Sequence, residues 1–136
     1  MKNNLELLAL EELTLEYCRQ RGLTVEQSIH HLGDNRVDLI IQNGDGNEGI
    51  GVIIKDWKRA VGVDIIIRSE QIMKASRAIT KILIISNFFS DPARSLAEKI
   101  GIFLFTRSDL LRILSSDMKT KTVEEVTDNR QDIMLY

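Results

Sequence analysis

The chain of 136 residues has one cysteine, Cys18, and one proline, Pro92. A single thiol excludes an internal disulfide and fits a reducing compartment. Aromatic residues make up 5% of the chain, too few to base a binding mode on stacking alone. No apolar run approaches the ~18 residues of a membrane span, and no basic–apolar–small-residue pattern opens the chain, so a cytoplasmic protein is expected. An excess of charge is lacking too. With 18 Lys and Arg against 20 Asp and Glu, the net charge is −2. That argues against holding nucleic acid by bulk charge, yet leaves room for a local basic patch. Neither internal repeats nor low-complexity segments occur.

What is present is ordinary for one globular domain, at 43% hydrophobic and 28% charged residues. Leu5, Leu8, Leu13, Leu15 and Tyr17, interleaved with acidic and basic residues, predict an amphipathic helix over 4–21, stopped by Gly22. Loose alternation predicts a half-exposed strand over 24–31, and Gly33-Asp34-Asn35 is turn chemistry. A strand follows over 36–41, with Asp38 its only acid. The cluster of Gly, Asn and Asp from 43 to 49 then predicts a hairpin.

The hairpin's second arm, Gly49 to Lys58, is an apolar run that ends abruptly in Lys55-Asp56-Trp57-Lys58. Consecutive Val52, Ile53 and Ile54 read as a strand buried on both faces. Its charged end would lie where open α/β sheets place ligands. Asp64 is placed to cap a helix with Ile65, Ile66, Ile72 and Ile79 turned inward, although the trio Ile65-Ile66-Ile67 is locally strand-like. The run from Lys81 to Ser86 predicts a central parallel strand. Ser90-Asp91-Pro92 opens a helix that Gly101 ends, 102–105 is a short strand, and Ser108-Asp109 begins a last helix. From Ser115 the chain is polar until Ile133, which divides a domain over 1–116 from a tail over 117–136. The order of elements describes an α/β domain, a mixed sheet with helices on both faces.

Asp38 and Lys55 fall on neighbouring strands and each interrupts an apolar run. A lone charge inside a buried strand costs several kcal/mol unless paired or metal-bound. The pair is therefore either a plain ion pair, or a site in which the aspartate binds a hard cation and the lysine positions a water. Lys58, Arg59, Arg68, Lys74 and Arg77 follow the hairpin. They could face a phosphate backbone or simply be solvated, and Trp57 could contact nucleic acid or plug the sheet end. His30 and His31 are adjacent on a strand, so they point apart and do not make a metal pair. Cys18 reads as core filler.

The chain resembles the Mrr-like branch of the restriction-endonuclease superfamily, with its loose Asp … (Glu/Gln)-x-Lys motif. Leu10-Glu11-Glu12-Leu13 with Arg21-Gly22-Leu23 is similar to the family's opening helix. Gly33-Asp34-Asn35-Arg36-Val37-Asp38-Leu39-Ile40 is similar to its Gly-Asp-Gly-Gly-Ile-Asp-Leu segment, and Lys55 to Gly62 to its Lys-Arg-aromatic segment. Residues 85–94 and 101–111 are similar to its closing elements. The resemblance implies a three-layer restriction-endonuclease-like fold acting on DNA with Mg²⁺ or Mn²⁺. Asp38 and the Ile54 main-chain carbonyl would be metal ligands, and Lys55 would be catalytic. Glu11 would support the site, unless it is merely exposed on an acidic helix face. Trp57, Lys58 and Arg59 would contact DNA. Cutting both strands needs two sites, which allows a homodimer.

Two departures set the alternative of a catalytically inactive DNA-binding or protein-interaction module. Ile53 stands where the family has Glu or Gln, and Asn35 and Arg36 replace paired glycines. Asp56-x-Lys58 is a second acid-x-Lys triplet, but it could serve only through a bulge or a strand end at Lys55.

Overall fold

The computed structural model describes residues 4–26, 30–32, 35–42 and 49–119. Seven short strands and four α-helices follow in chain order. They are α1 (Leu10–Gln20), β1 (Thr24–Glu26), β2 (His30–Leu32), β3 (Asn35–Val37), β4 (Leu39–Gln42), β5 (Gly49–Lys55), α2 (Val63–Ala75), β6 (Ile79–Ser86), α3 (Asp91–Ile100), β7 (Phe103–Thr106) and α4 (Arg107–Lys119). The main sheet has the order β1-β4-β5-β6-β7. Its β1/β4 and β4/β5 pairs are antiparallel, while β6 is parallel to both β5 and β7.

The period of two along β5 builds both cores at once. Ile50, Val52 and Ile54 face a cluster with Leu10, Leu13 and Tyr17 of α1 and Leu110 and Leu114 of α4. Ile53 faces the opposite cluster, with Ile65, Ile66 and Ile72 of α2 and Ala93 and Ala97 of α3. The result is three layers, helices covering both faces of a mixed sheet, as the sequence pattern predicts. Gly51 keeps its place in β5 by having no side chain. A Cβ there would lie 3.1 Å from Ile79 Cγ2 and 3.2 Å from Ile82 Cδ1.

Several expectations need correction. The single helix over 4–21 is instead one 3-10 turn, Asn4–Leu7, followed by α1. The break at Leu8 and Ala9 has a tertiary cause, because the Leu8 carbonyl and the Leu10 amide are bonded to residues far along the chain. The strand over 24–31 contributes only β1 to the main sheet, while β2 pairs with β3 in a separate two-stranded sheet. Residues 27–29, the turn expected at 33–34, the hairpin connection expected at 43–48, the side chains of His30 and His31 and residues 120–136 of the expected tail lie outside the described residues. The strand over 36–41 is split at Asp38 into β3 and β4. Gly62, not Asp64, occupies the cap of α2, and Asp64 sits in its first turn, where an acid suits the helix dipole. The strand expected at 102–105 is displaced to 103–106. The last helix begins one residue early because Thr106 and Asp109 cap it reciprocally. Thr106 Oγ1 accepts from the Asp109 amide at 3.0 Å, and Asp109 Oδ2 accepts from the Thr106 amide at 2.9 Å.

Other local signals hold. The Ser90 hydroxyl accepts from the Ala93 amide at 3.2 Å, and Gly101 closes α3 in the left-handed region at φ 95°. Cys18 lies in the α1 core, and burial pushes its thiol up to about 11. At pH 9 the folded protein should therefore resist iodoacetamide about 50-fold better than the urea-unfolded chain, as read by mass spectrometry. Since the unfolded thiol loses its proton first, stability should fall as pH rises from about 9 towards 11.

Candidate active site

The three parallel strands end together, with Lys55, Ser86 and Thr106 in one row across the sheet. Each strand then delivers a polar side chain in the next position: Asp56, Asn87 and Arg107. These three lock to one another. Asn87 Nδ2 donates to Asp56 Oδ1 at 2.9 Å and to the Trp57 carbonyl at 2.7 Å, and Asn87 Oδ1 accepts from Arg107 Nε at 2.8 Å. Arg107 also reaches Asp56 Oδ1 at 3.4 Å and the Leu8 carbonyl at 2.7 Å, while Asp56 Oδ2 accepts from the Leu10 amide at 3.2 Å. The Asn87 amide holds the Asp56 carboxyl below the usual carboxylate range, with help from the Leu10 amide and the Arg107 guanidinium, against the opposing effect of burial. The strand end that Asp56-x-Lys58 requires is present at Lys55. Asp56 is nonetheless committed to this clamp, a role that sequence reasoning missed.

Asp38 lies at the break between β3 and β4. Its amide donates to the Val52 carbonyl at 2.9 Å, continuing the ladder, and its Oδ2 accepts from the Ile54 amide at 2.8 Å. The carboxylate thus replaces a ladder carbonyl, which explains why the strand is interrupted there. In an extended strand a residue's N–H and C=O face the same edge, so the Ile54 carbonyl shares that edge with Asp38. The other oxygen, Oδ1, accepts from Arg36 Nε at 3.1 Å and Nη2 at 3.0 Å.

Lys55 is not the partner of Asp38. As the last residue of β5 it is half-buried, and its ammonium sits 5.3 Å from the Trp57 ring centroid. Arg59 lies over the same ring at 4.0 Å. The structure thus gathers Lys55 and Arg59 around the Trp57 ring, with exposed Lys58 next in sequence. Glu11 is exposed in the first turn of α1 and bonds to none of them. Ile53, where the resemblance expects a second acid or amide, is 4% exposed in the α2/α3 core and offers no ligand. Among the described residues no three His, Cys, Asp or Glu side chains group to hold a metal.

A hard divalent cation in phosphoryl chemistry can manage with one or two carboxylates plus oxygens from substrate and water. The Asp38 carboxylate and the Ile54 carbonyl make the minimum of such a set, so the residues fit a cation, with the Arg36 guanidinium as its competitor. No signal in the 36–38 stretch alone reveals that competition. The replacement of the family's glycines is the one hint.

A family model described as restriction endonuclease matches residues 3–114. The chain belongs to the restriction endonuclease family. No curated protein matches it. Solved structures share the fold at low identity. Protein AF1548, described as of unknown function, is 17% identical with a TM-score of 0.64, over 97% of this chain and 79% of that one. A repair endonuclease from Pyrococcus abyssi is 12% identical with a TM-score of 0.52, over 71% of this chain and 46% of its own. EndoMS, solved with double-stranded DNA, is 15% identical with a TM-score of 0.50, over 78% of this chain and 47% of its own. This restriction endonuclease family member thus spans less than half the length of either of the last two proteins. None of its described helices is long and apolar enough to cross a membrane.

Proposed function

We propose that this member of the restriction endonuclease family acts on DNA at the carboxyl end of its parallel strands, hydrolysing phosphodiesters slowly with Mg²⁺ or Mn²⁺. One observation carries the reading. Asp38 and the Ile54 main chain share an edge of β5, and the next residue, Lys55, ends the strand with no carboxylate on its ammonium among the described residues. Asp38 and the Ile54 carbonyl would hold the cation. When bound, it would polarise the phosphate and make a metal-held water a better nucleophile at neutral pH. Lys55 orients the attacking water and offsets charge developing on the phosphate oxygens. Glu11, exposed on α1, would support the site. Lys58, Arg59 and Trp57 seat the DNA backbone, and a homodimer would supply the two sites that double-strand cleavage requires. Ile53 and Arg36 account for slowness, since one ligand position is apolar and the other already carries a fixed cation.

Those same two residues favour a second reading, a DNA-binding module without hydrolysis. A plasmid-nicking assay with each metal separates the two. Wild type should nick, and Asp38→Asn or Lys55→Ala should lose about 100-fold or more. Asp38→Asn retains an acceptor for the Ile54 amide and so keeps the fold. Nicking that is absent in wild type, or unchanged in both variants, rejects hydrolysis at this site. For DNA itself, replacing Lys58 and Arg59 together by alanine should lower the slope of log affinity against log salt by about 2. Wild-type affinity that ignores salt rejects phosphate contact altogether.

A further inference from the structure

Phe88 and Phe89 are consecutive and take opposite environments. Phe89 is buried in the α2/α3 core, whereas Phe88 is 54% exposed, the one aromatic among the large hydrophobic residues that the described surface leaves open. The part of an apolar ring that faces water gains nothing for the fold. The loop that carries it is nevertheless tightly held. The Phe88 carbonyl accepts from the Val61 amide at 2.9 Å, and the Ser90 amide donates to the Val61 carbonyl at 3.0 Å. On one side stands Asn87 with its bonds to Asp56, Trp57 and Arg107, and on the other Ser90 caps α3. The ring is therefore presented on a fixed backbone, so little loop entropy is lost when something packs against it.

The segment to which this loop is bonded carries cations, although the chain as a whole has no excess of them. The Asn87 bond ties the loop to Trp57, whose ring carries Arg59 and Lys55. Arg94 lies 5.7 Å from the Phe89 ring centroid, and Lys58 is exposed. Asp56 is engaged by Asn87 and Arg107, while Asp91, exposed, opens α3 just after the loop. An exposed ring on a loop bonded to a cation-bearing segment suits an anionic partner with flat aromatic faces, which describes nucleic acid better than protein.

Resting on the DNA reading above, we propose that Phe88 is a stacking platform for an unpaired base, so that the preferred substrate class is DNA with unstacked bases. In an intact duplex both faces of each base are covered by neighbours, and a protruding ring must first open a base step. A base already out of the stack offers its face at no such cost. Stacking on one aromatic side chain corresponds to roughly 10- to 100-fold in affinity.

The test uses metal-free protein and two probes, a fully paired duplex and the same duplex carrying one unpaired 2-aminopurine. Wild type should bind the second about 10-fold or more tightly and quench its fluorescence. Phe88→Ala should abolish both preference and quenching while leaving duplex affinity and the thermal melt unchanged, and Phe88→Tyr should retain them. Equal wild-type affinity for both probes overturns the inference but not the DNA reading. A loss in Phe88→Ala that falls equally on both probes also overturns it. So does a Phe88→Ala variant that loses only self-association in ultracentrifugation, which would assign the ring to a protein contact. If wild type binds neither probe, the DNA reading falls and this inference with it.

Discussion

Replacing Ile53 by glutamate should cost about 3–5 kcal/mol at neutral pH, the price of an uncompensated buried charge. The substitution restores the family's acid, and the instinctive expectation would be a gain of activity. Ile53, however, faces Ile65, Ile66 and Ile84 inside the α2/α3 core and is 4% exposed. A carboxylate there lacks both water and a donor, so it either ionises at great cost or stays protonated with a raised pKa. In the second case the penalty should shrink as pH falls below that raised value, so urea melts should show variant and wild type converging under mild acid. A divalent cation offers the other relief, provided that Arg36 no longer covers Asp38. In the Arg36→Gly, Ile53→Glu double variant, Mn²⁺ at about 100 times its dissociation constant should therefore restore about 2.7 kcal/mol. The single variant should respond less. An Ile53→Glu protein as stable as wild type would mean that position 53 is not sealed, and the explanation offered for slow hydrolysis would fail.

Arg107→Ala should lower stability by about 2–3 kcal/mol, without touching any residue proposed to handle phosphate. The side chain joins three parts of the molecule: the Leu8 carbonyl before α1, Asn87 after β6 and Asp56 after β5. It is 27% exposed and Asp56 43%, so water can replace part of what is lost, and the effect stays below that of a fully buried pair. For a chain of this size the midpoint of thermal unfolding should fall by about 8 °C. Amide exchange should quicken first in the 3-10 turn, Asn4–Leu7, which Arg107 ties to the sheet. The pH dependence follows from Asp56, whose folded pKa is depressed. Its contribution is complete above the unfolded value near 4 and is lost as pH falls through the lower folded value. The gap between wild type and Arg107→Ala should therefore narrow on going from pH 5 to pH 3. A constant gap would show that the guanidinium acts through the Leu8 carbonyl and Asn87 rather than through Asp56.

The two variants mark the boundary between what local pattern carries and what it does not. The buried strands β5 and β6, the antiparallel hairpin, the Ser90 cap and the left-handed Gly101 were all legible, since each depends on residues within a few positions of one another. Asp38 and Lys55 also stood out, because a charge in an apolar run is visible as such. The companions of those residues were not. Asp38 looked like a partner for Lys55, yet it takes the Ile54 amide and the Arg36 guanidinium, while Lys55 turns to Trp57.

By itself, then, the sequence determined the α/β architecture, the two helix layers and the strand end at which charge emerges. Period and capping chemistry are local quantities, and they leave few alternatives. Only the tertiary structure decided how that end is wired. The Asp56 carboxylate meets an amide 46 residues away, and Arg107 meets a carbonyl 99 residues away. Bonds at such separations depend on how the parallel strands stack their ends. No period in the chain encodes that stacking, which is why the clamp, the cation lying on Asp38 and the outward turn of Phe88 emerged only from the folded molecule.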